Sequence, residues 1–134
     1  NSIRVMKKVI LLYLIIGLAS IKTFSQTEIP IQNISTDSDV VYRLFSTRNM
    51  YTFIKLDTRN GKMWQVQWST ENDTRFESIL SDISRVYKDE EKNGRFFLYP
   101  TTNMYNFILL DQIDGRTWQV QWGKEKERAV IRIF

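Results

Sequence analysis

The chain has 134 residues, of which 43% are hydrophobic and 25% are charged, a composition that supports one domain with a packed core. It contains neither cysteine nor histidine, which excludes disulfides, the usual zinc sites and every catalytic triad that uses imidazole as its base. Its formal net charge of +4 comes from 19 basic and 15 acidic residues, so the meaning of that excess depends on where the basic residues lie.

Residues 1–25 have the character of a few upstream residues followed by a secretory signal peptide. Two lysines precede an apolar run at residues 9–19, and small residues lead up to Ser25 before Gln26. This order of charged, apolar and small segments is typical of a signal peptide. A membrane-spanning helix is the alternative, but it needs about 20 apolar residues, roughly twice the length of this run. The sequence therefore predicts export, to the periplasm or the extracellular space, with no stable membrane anchor after cleavage.

The predicted leader also accounts for the excess of positive charge. Residues 1–25 hold four of the 19 basic residues and no acidic one, so 15 basic and 15 acidic residues remain in the rest of the chain. A protein that binds nucleic acid needs a basic surface to neutralise phosphates. The sequence therefore predicts no nucleic-acid partner.

An internal repeat organises the remaining residues. Asn49–Trp68 and Asn103–Trp122 are identical at 13 of 20 positions, with a constant offset of 54 residues and no gap. Such a repeat indicates a tandem duplication of one structural unit. The predicted layout is a polar lead-in at 26–39 and a single β domain at 40–134, which comprises repeat 1 (40–80), a charged linker (81–93) and repeat 2 (94–134).

Each repeat predicts a β-hairpin at its centre. Residues 62–68 alternate strictly, with Trp64 and Trp68 on one side of the chain and glutamines on the other, and this period of two indicates a half-buried strand. Asn-Gly in repeat 1 and Asp-Gly in repeat 2 favour a type I turn with a glycine bulge. Asp57 and Asp111 stand where a carboxylate accepts the N–H groups of such a turn.

One strand before and one strand after each hairpin complete a four-stranded antiparallel meander per repeat. Residues 76–84 also fit a short helix, and the choice between strand and helix stays open. The predicted fold is all-β, a small barrel or two-sheet sandwich with pseudo-twofold symmetry. Four strands per repeat are also typical of a propeller blade, but two blades cannot close a ring without several chains. We expect all four tryptophans to be mostly buried and the glutamines to share a different face.

The candidate binding residues are polar or aromatic groups of these hairpins. If the two WQVQW strands lie side by side, their glutamines form one polar stripe that can hydrogen-bond sugar hydroxyls while tyrosines stack on sugar rings. A solvated sheet face, or an amide ladder inside a filled barrel, explains the same glutamines without any ligand. The candidates are Gln65, Gln67, Gln119, Gln121, Tyr51, Tyr99 and Tyr105.

No motif in the sequence predicts catalysis, a cofactor or a metal. Acidic residues fall in turns, loops and the linker, and neither a phosphate-binding loop nor a nucleophile elbow is present. We therefore expect an exported, non-catalytic binding protein. An aromatic-rich sheet face or edge favours a protein partner, as in an immunity-type protein, an inhibitor or a structural subunit. A glycan or small-ligand module that uses the tyrosines and glutamines is the alternative.

The motifs NMYxFxxLD and GxxWQVQW, each present twice, resemble those of an uncharacterised family of small exported proteins from Bacteroidota-type bacteria. The resemblance covers residue 42 to the C-terminus, and the end of the leader is similar as well. It implies export in a cell with two membranes, and it carries no reaction and no ligand.

Overall fold

A computed structural model describes residue 2, residues 34–35 and residues 37–134. The predicted signal peptide, apart from residue 2, and most of the lead-in lie outside the described residues. The described residues form eight strands in two antiparallel sheets, one for each repeat, which confirms the all-β prediction. Sheet 1 contains β1 (Tyr42–Ser46), β2 (Thr52–Asp57), β3 (Met63–Gln67) and β4 (Phe76–Ser81), and sheet 2 contains β5 (Phe96–Pro100), β6 (Asn106–Asp111), β7 (Thr117–Gln121) and β8 (Ala129–Ile133).

Each sheet is a meander in which consecutive strands are hydrogen-bonded neighbours. The segment left open between strand and short helix contains strand β4. Short 3-10 helices occupy Asn72–Thr74, Lys88–Glu90 and Glu125–Glu127.

The loop before the last strand is one residue shorter in sheet 2, because Gln67 pairs with Phe76 whereas Gln121 pairs with Ala129. Positions therefore correspond at an offset of 54 through the third strand of each sheet and 53 in the fourth.

The central hairpins close through the predicted turns. Gly61 and Gly115 both have a φ of +81°, a backbone conformation that glycine adopts without steric cost. One carboxylate oxygen of Asp57, and likewise of Asp111, accepts the N–H two residues further along the chain at 3.0 Å. The predicted role of these aspartates as turn formers is thus confirmed.

The two sheets bury opposite faces, although their sequences repeat. We call the face that carries Trp64 in sheet 1, or Trp118 in sheet 2, the Trp face of that sheet, and the opposite face the Gln face. Sheet 1 turns its Gln face inward, where Ile54 and Gln65 are buried. Sheet 2 turns its Trp face inward, where Val120 is buried beside Trp118. The sheets therefore stack face to back, with the Gln face of sheet 1 on the Trp face of sheet 2.

This arrangement corrects the predicted symmetry. The two packed sheets form the sandwich that was one of the predicted alternatives, but a twofold axis would bury the same positions of both repeats, so the pseudo-twofold prediction is wrong. Trp118 and Trp122 are buried as predicted, whereas Trp64 is half-buried and Trp68 is 41% exposed. Face-to-back stacking of four-stranded meanders is the relation between neighbouring blades of a propeller.

Apolar side chains of both sheets form one shared core, to which sheet 1 contributes Phe45 and sheet 2 contributes Leu98. Hydrogen bonds cross the same interface. The amide oxygen of Gln65 accepts the N–H of Gly123 at 2.8 Å, which satisfies a polar group that would otherwise be costly to bury. The sheet-to-sheet contact is thus both apolar and specifically hydrogen-bonded.

Candidate functional site

The Trp face of sheet 1 is the first large surface left uncovered among the described residues. Tyr42 and Leu44 of β1 are about half exposed, and Ile79 of β4 is equally open. The rings of Tyr42 and Trp64 meet edge to face with centroids 6.3 Å apart. Contiguous exposed apolar surface of this kind marks interaction sites in soluble proteins.

One ion pair lies at the centre of this surface. The ammonium of Lys55 pairs with the carboxylate of Glu77, and it lies 5.0 Å from the ring centroid of Trp64. Both side chains are partly exposed, so solvent weakens their attraction and the pair contributes little to stability. The Trp face of sheet 1 is therefore an aromatic and aliphatic surface with one charged pair in its middle.

The Gln face of sheet 2 is the second uncovered surface, and none of its described strand residues is charged. Tyr99 of β5 and Ile131 and Ile133 of β8 are exposed on it, while Ile108 and Leu110 of β6 are half-buried. The polar side chains of these strand residues are amides and hydroxyls, so none of them carries a formal charge that opposes desolvation. The guanidinium of Arg43, from sheet 1, lies 5.8 Å from the ring centroid of Phe97 on this face. Sheet 2 thus offers a largely aliphatic surface with Arg43 at one edge.

The structure does not bring the four candidate glutamines onto one face. Gln65 and Gln67 point into the sheet interface, where Gln65 is 6% exposed and accepts a hydrogen bond. Gln119 and Gln121 lie on the outer face of sheet 2, where the amide of Gln119 donates to the side-chain oxygen of Asn106 at 3.2 Å. The expected polar stripe is therefore wrong, because the sheets stack face to back and place identical residues on opposite sides of the interface.

The candidate tyrosines fall into two groups. Tyr51 and Tyr105 stand at the loop ends of the hairpins, each tilted against the tryptophan that ends the WQVQW segment, with ring centroids 5.1 and 5.0 Å apart. Tyr99 lies on the outer face of sheet 2, where its ring centroid is 4.9 Å from that of Phe97. Tyr99 lies within a strand of an uncovered face, and Tyr51 stands at the end of the Trp face of sheet 1 beside the exposed Trp68.

Tyr99 and Phe97 also line a groove of about 590 Å³ between β5 and the end of the lead-in. Ile34 and Arg43 border the groove on its other side. The guanidinium of Arg43 donates to the carbonyl oxygens of residues 35 and 37 at 3.1 Å, so its charge holds the lead-in in place. The groove is open and mostly apolar, and Tyr99 is the one candidate residue that it contains.

The two turn carboxylates are engaged by arginines. The Nε of Arg95 donates to both oxygens of Asp111 at 3.0 Å, and both side chains are buried. Burial alone would raise the pKa of Asp111, but hydrogen bonds from Arg95 and from turn N–H groups outweigh it and hold that pKa below its ordinary value. Burial would also raise the pKa of Asp57. Hydrogen bonds from Arg59 outweigh this effect, and the pKa of Asp57 is lowered. These carboxylates are ionised structural acceptors.

The described residues offer neither a cluster of metal ligands nor a membrane-spanning helix. Within residues 34–35 and 37–134, no three acidic side chains come together as a metal site would require. No helix in the described part of the chain is long and apolar enough to cross a membrane.

Comparison with protein-family models, with curated proteins and with solved structures gives no match to this chain. The resemblance to exported proteins of Bacteroidota-type bacteria therefore stays a prediction.

Sequence reasoning missed most of the residues that form these faces. Tyr42 and Leu44 alternate with less exposed residues of β1, and Ile131 and Ile133 alternate with half-buried residues of β8. A strand prediction puts such alternate residues on one side of the sheet, but it does not tell which side stays open. A comparison of the two repeats holds the missing signal: Lys55 stands at the position of buried Leu109, which marks the Trp face of sheet 1 as the more exposed one.

Proposed function

We propose that this chain is an exported, non-catalytic interaction module that binds a protein partner through its two uncovered sheet faces. The observation that carries the proposal is the pair of contiguous apolar faces, one rich in aromatic rings and one whose described strand residues are all uncharged. Tyrosine and tryptophan offer large contact areas at low entropic cost, which suits protein recognition.

A non-catalytic role is supported by what the acidic residues do. Asp57 and Asp111 are the acidic residues that the repeat places at equivalent positions, and both are held ionised by arginines. A general acid needs a pKa raised towards neutrality, and these shifts run in the opposite direction. The proposal therefore assigns these carboxylates to the turns and the function to the faces.

A protein partner is favoured over a glycan because the amide stripe is absent. Gln119 and Gln121 remain on the face of the exposed Tyr99, but the amide of Gln119 already donates to the side chain of Asn106, and the amide oxygen of Gln65 accepts the N–H of Gly123 inside the protein. The groove beside Tyr99 supports the alternative, a small-ligand or glycan site, because its mostly apolar lining includes two aromatic rings.

The test is a capture experiment with face variants. We expect the purified protein to retain a partner from an envelope extract, and Ile79→Glu on sheet 1 or Ile131→Glu on sheet 2 to abolish that retention. Both positions are exposed, so the substitutions should leave folding intact. Lys92→Glu, in the exposed linker, is the control and should behave as the unmodified protein.

A glycan array run in parallel decides between the alternatives. A saturable glycan signal that is lost in Tyr99→Ala would instead support a glycan or small-ligand site, provided that no protein partner is captured in a way that the face variants abolish. Turnover of a substrate by the folded protein, abolished by Asp57→Asn or Asp111→Asn without unfolding, would overturn the non-catalytic role.

A further inference from the structure

We infer that the partner is a second copy of this chain, bound head to tail, with the Trp face of sheet 1 in one copy stacked on the Gln face of sheet 2 in the next. The inference rests on the proposed function and names its partner. The two faces left open are the repeat equivalents of the two faces that already stack inside the chain. An intermolecular contact of this kind would therefore continue the internal one.

Buried positions of the internal interface have open counterparts on the outer faces. Leu98, on the buried Trp face of sheet 2, has no exposed surface, and its counterpart in sheet 1 is Leu44, which is half exposed. Phe45, on the buried Gln face of sheet 1, is fully enclosed, and its counterpart in sheet 2 is the exposed Tyr99. Each open face thus carries an apolar residue at a position that stacking buries elsewhere in the same molecule.

The hydrogen bond across the internal interface also has a counterpart. Gln65 accepts the N–H of Gly123 at 2.8 Å between the sheets. The residues at the corresponding positions are Gln119, which is exposed on the outer face of sheet 2, and Ser69, which follows β3. In a head-to-tail contact the amide of Gln119 in one copy would accept the N–H of Ser69 in the next.

The two hairpin turns also differ in packing: the Gly61 turn contacts the other sheet, whereas the Gly115 turn is open. A Cβ added to Gly61 would lie 3.3 Å from Phe96 and 3.4 Å from Leu109, because sheet 2 packs closely against this turn. Gly115 has the same φ of +81°, and a Cβ added there would meet nothing within 4 Å. The turn of sheet 2 therefore has the same backbone conformation as a turn that packs against a neighbouring sheet, but no described residue packs against its glycine.

The open Trp face also differs from its buried counterpart in charge. Lys55 replaces Leu109, the residue that lies against the Gly61 turn. In the stacked arrangement Lys55 would lie against the Gly115 turn of the next copy. That turn carries Asp114, which already forms an ion pair with Arg116 and lies 3.6 Å from the guanidinium of Arg95. The ammonium would therefore meet a carboxylate that arginines already neutralise, and the register of the stacking depends on the apolar positions, on Gln119 and on the open Gly115 turn.

A contact between two different faces can repeat from copy to copy. Such heterologous contacts form rings when the rotation closes and open filaments when it does not. Propellers have roughly 4–8 blades, so a closed ring would take about two to four copies with two blades each. Either assembly follows from the same contact.

The experiment measures the mass of the purified protein by sedimentation and mass photometry, with one variant for each face. We expect the unmodified protein to form complexes larger than the monomer, in an amount that rises with concentration. Leu44→Glu and Tyr99→Glu, each alone, should give monomers with unchanged circular dichroism and cooperative unfolding, since both positions are exposed. Lys92→Glu, in the linker, is the matched control and should assemble.

Mixing the two variants distinguishes a head-to-tail contact from a symmetric one. The Leu44→Glu copy keeps an intact Gln face and the Tyr99→Glu copy keeps an intact Trp face, so the mixture should form a heterodimer and nothing larger. A symmetric contact would be lost in only one of the two variants.

Three results would overturn the inference: a strictly monomeric unmodified protein, assembly that survives in either variant, or a mixture that stays monomeric. A monomeric protein that still shows partner capture sensitive to Ile79→Glu would refute self-association and leave the proposed function standing. A monomeric protein without such capture would refute both.

Discussion

Asp57 and Asp111 occupy the same position of the same turn, yet their arginine partners come from different places. Arg59 belongs to the turn of Asp57 itself, and a third of its side chain is exposed. Arg95 comes from the start of β5, and its side chain is buried together with Asp111. The repeat therefore conserves the acceptor while each copy supplies the cation in its own way, and the two pairs differ in how much solvent surrounds them.

Asp111→Asn should destabilise the protein more than Asp57→Asn. Removal of the Asp111 charge leaves the buried Arg95 with the weaker pairing to the more exposed Asp114, 3.6 Å away, and we expect a cost towards the lower end of about 3–5 kcal/mol. The same change at Asp57 releases the more exposed Arg59 to solvent, and we expect a cost of about 1 kcal/mol. Urea unfolding of the two variants measures both costs, and equal costs would contradict the assignment.

The lowered pKa values of Asp57 and Asp111 predict acid sensitivity. Their contribution to the free energy of unfolding is complete above the ordinary carboxyl pKa of about 3.9. It is lost as the pH falls from there through the lower pKa of the folded state. Urea unfolding as a function of pH should therefore show stability falling below about pH 4, with a smaller fall in Asp111→Asn. An unchanged slope in that variant would count against the role of Asp111.

At the scale of the element, strands and turns follow from local sequence, whereas the choice of face does not. Alternation in WQVQW predicts a strand, and the Asn-Gly or Asp-Gly pair predicts the turn, because both features depend on neighbouring residues alone. The same pentapeptide buries its glutamine in sheet 1 and its tryptophans in sheet 2. Identical local sequences with opposite burial show that the packing partner decides the face, and no periodicity within one strand contains that information.

Gly61→Ala and Gly115→Ala form a matched pair at the scale of the turn. Both substitutions force alanine to a φ of +81°, at a cost of about 1–2 kcal/mol. Only Gly61→Ala also presses a methyl group against Arg85, Phe96 and Leu109, at 3.1 to 3.4 Å, which adds about 1–3 kcal/mol of overpacking. Thermal or urea unfolding in a Leu44→Glu background, where assembly is absent, should show the larger loss for Gly61→Ala. Equal losses would mean that the turn of sheet 1 is not closely packed in solution.

At the scale of the molecule, the first prediction concerns processing. The order of segments in residues 1–25 predicts cleavage between Ser25 and Gln26 on export. Intact-mass measurement of the exported protein should give a chain that begins at Gln26. A mass that includes the apolar run at residues 9–19 would instead indicate a retained anchor.

The arrangement of the two sheets could not be deduced from the duplication alone. Two identical meanders can pair through a twofold axis or stack face to back, and both arrangements bury apolar side chains. The residues that differ between the repeats favour one of these two arrangements. Lys55 and Glu77 stand where sheet 2 has Leu109 and Val130, so burial of the Trp face of sheet 1 inside one chain would enclose an ion pair. The residues that differ between the repeats, and not only the identical ones, therefore indicate which face stays open within the chain.

The last prediction follows from that difference. Lys55→Leu combined with Glu77→Val gives the open Trp face the type of residues that its buried counterpart carries, and removes the cost of desolvating an ion pair. Folding of the single chain should change by less than about 1 kcal/mol, because the pair is partly exposed there. Head-to-tail association should tighten by about tenfold or more, since burial of one leucine side chain contributes about 1.5–3 kcal/mol. The charge swap Lys55→Glu with Glu77→Lys keeps an ion pair on the face and therefore keeps the cost of desolvating it, so association should stay close to that of the unmodified protein. Sedimentation at a series of concentrations measures both changes, and an apolar double variant that assembles no better than the swap would refute the stacking of this face on a second copy.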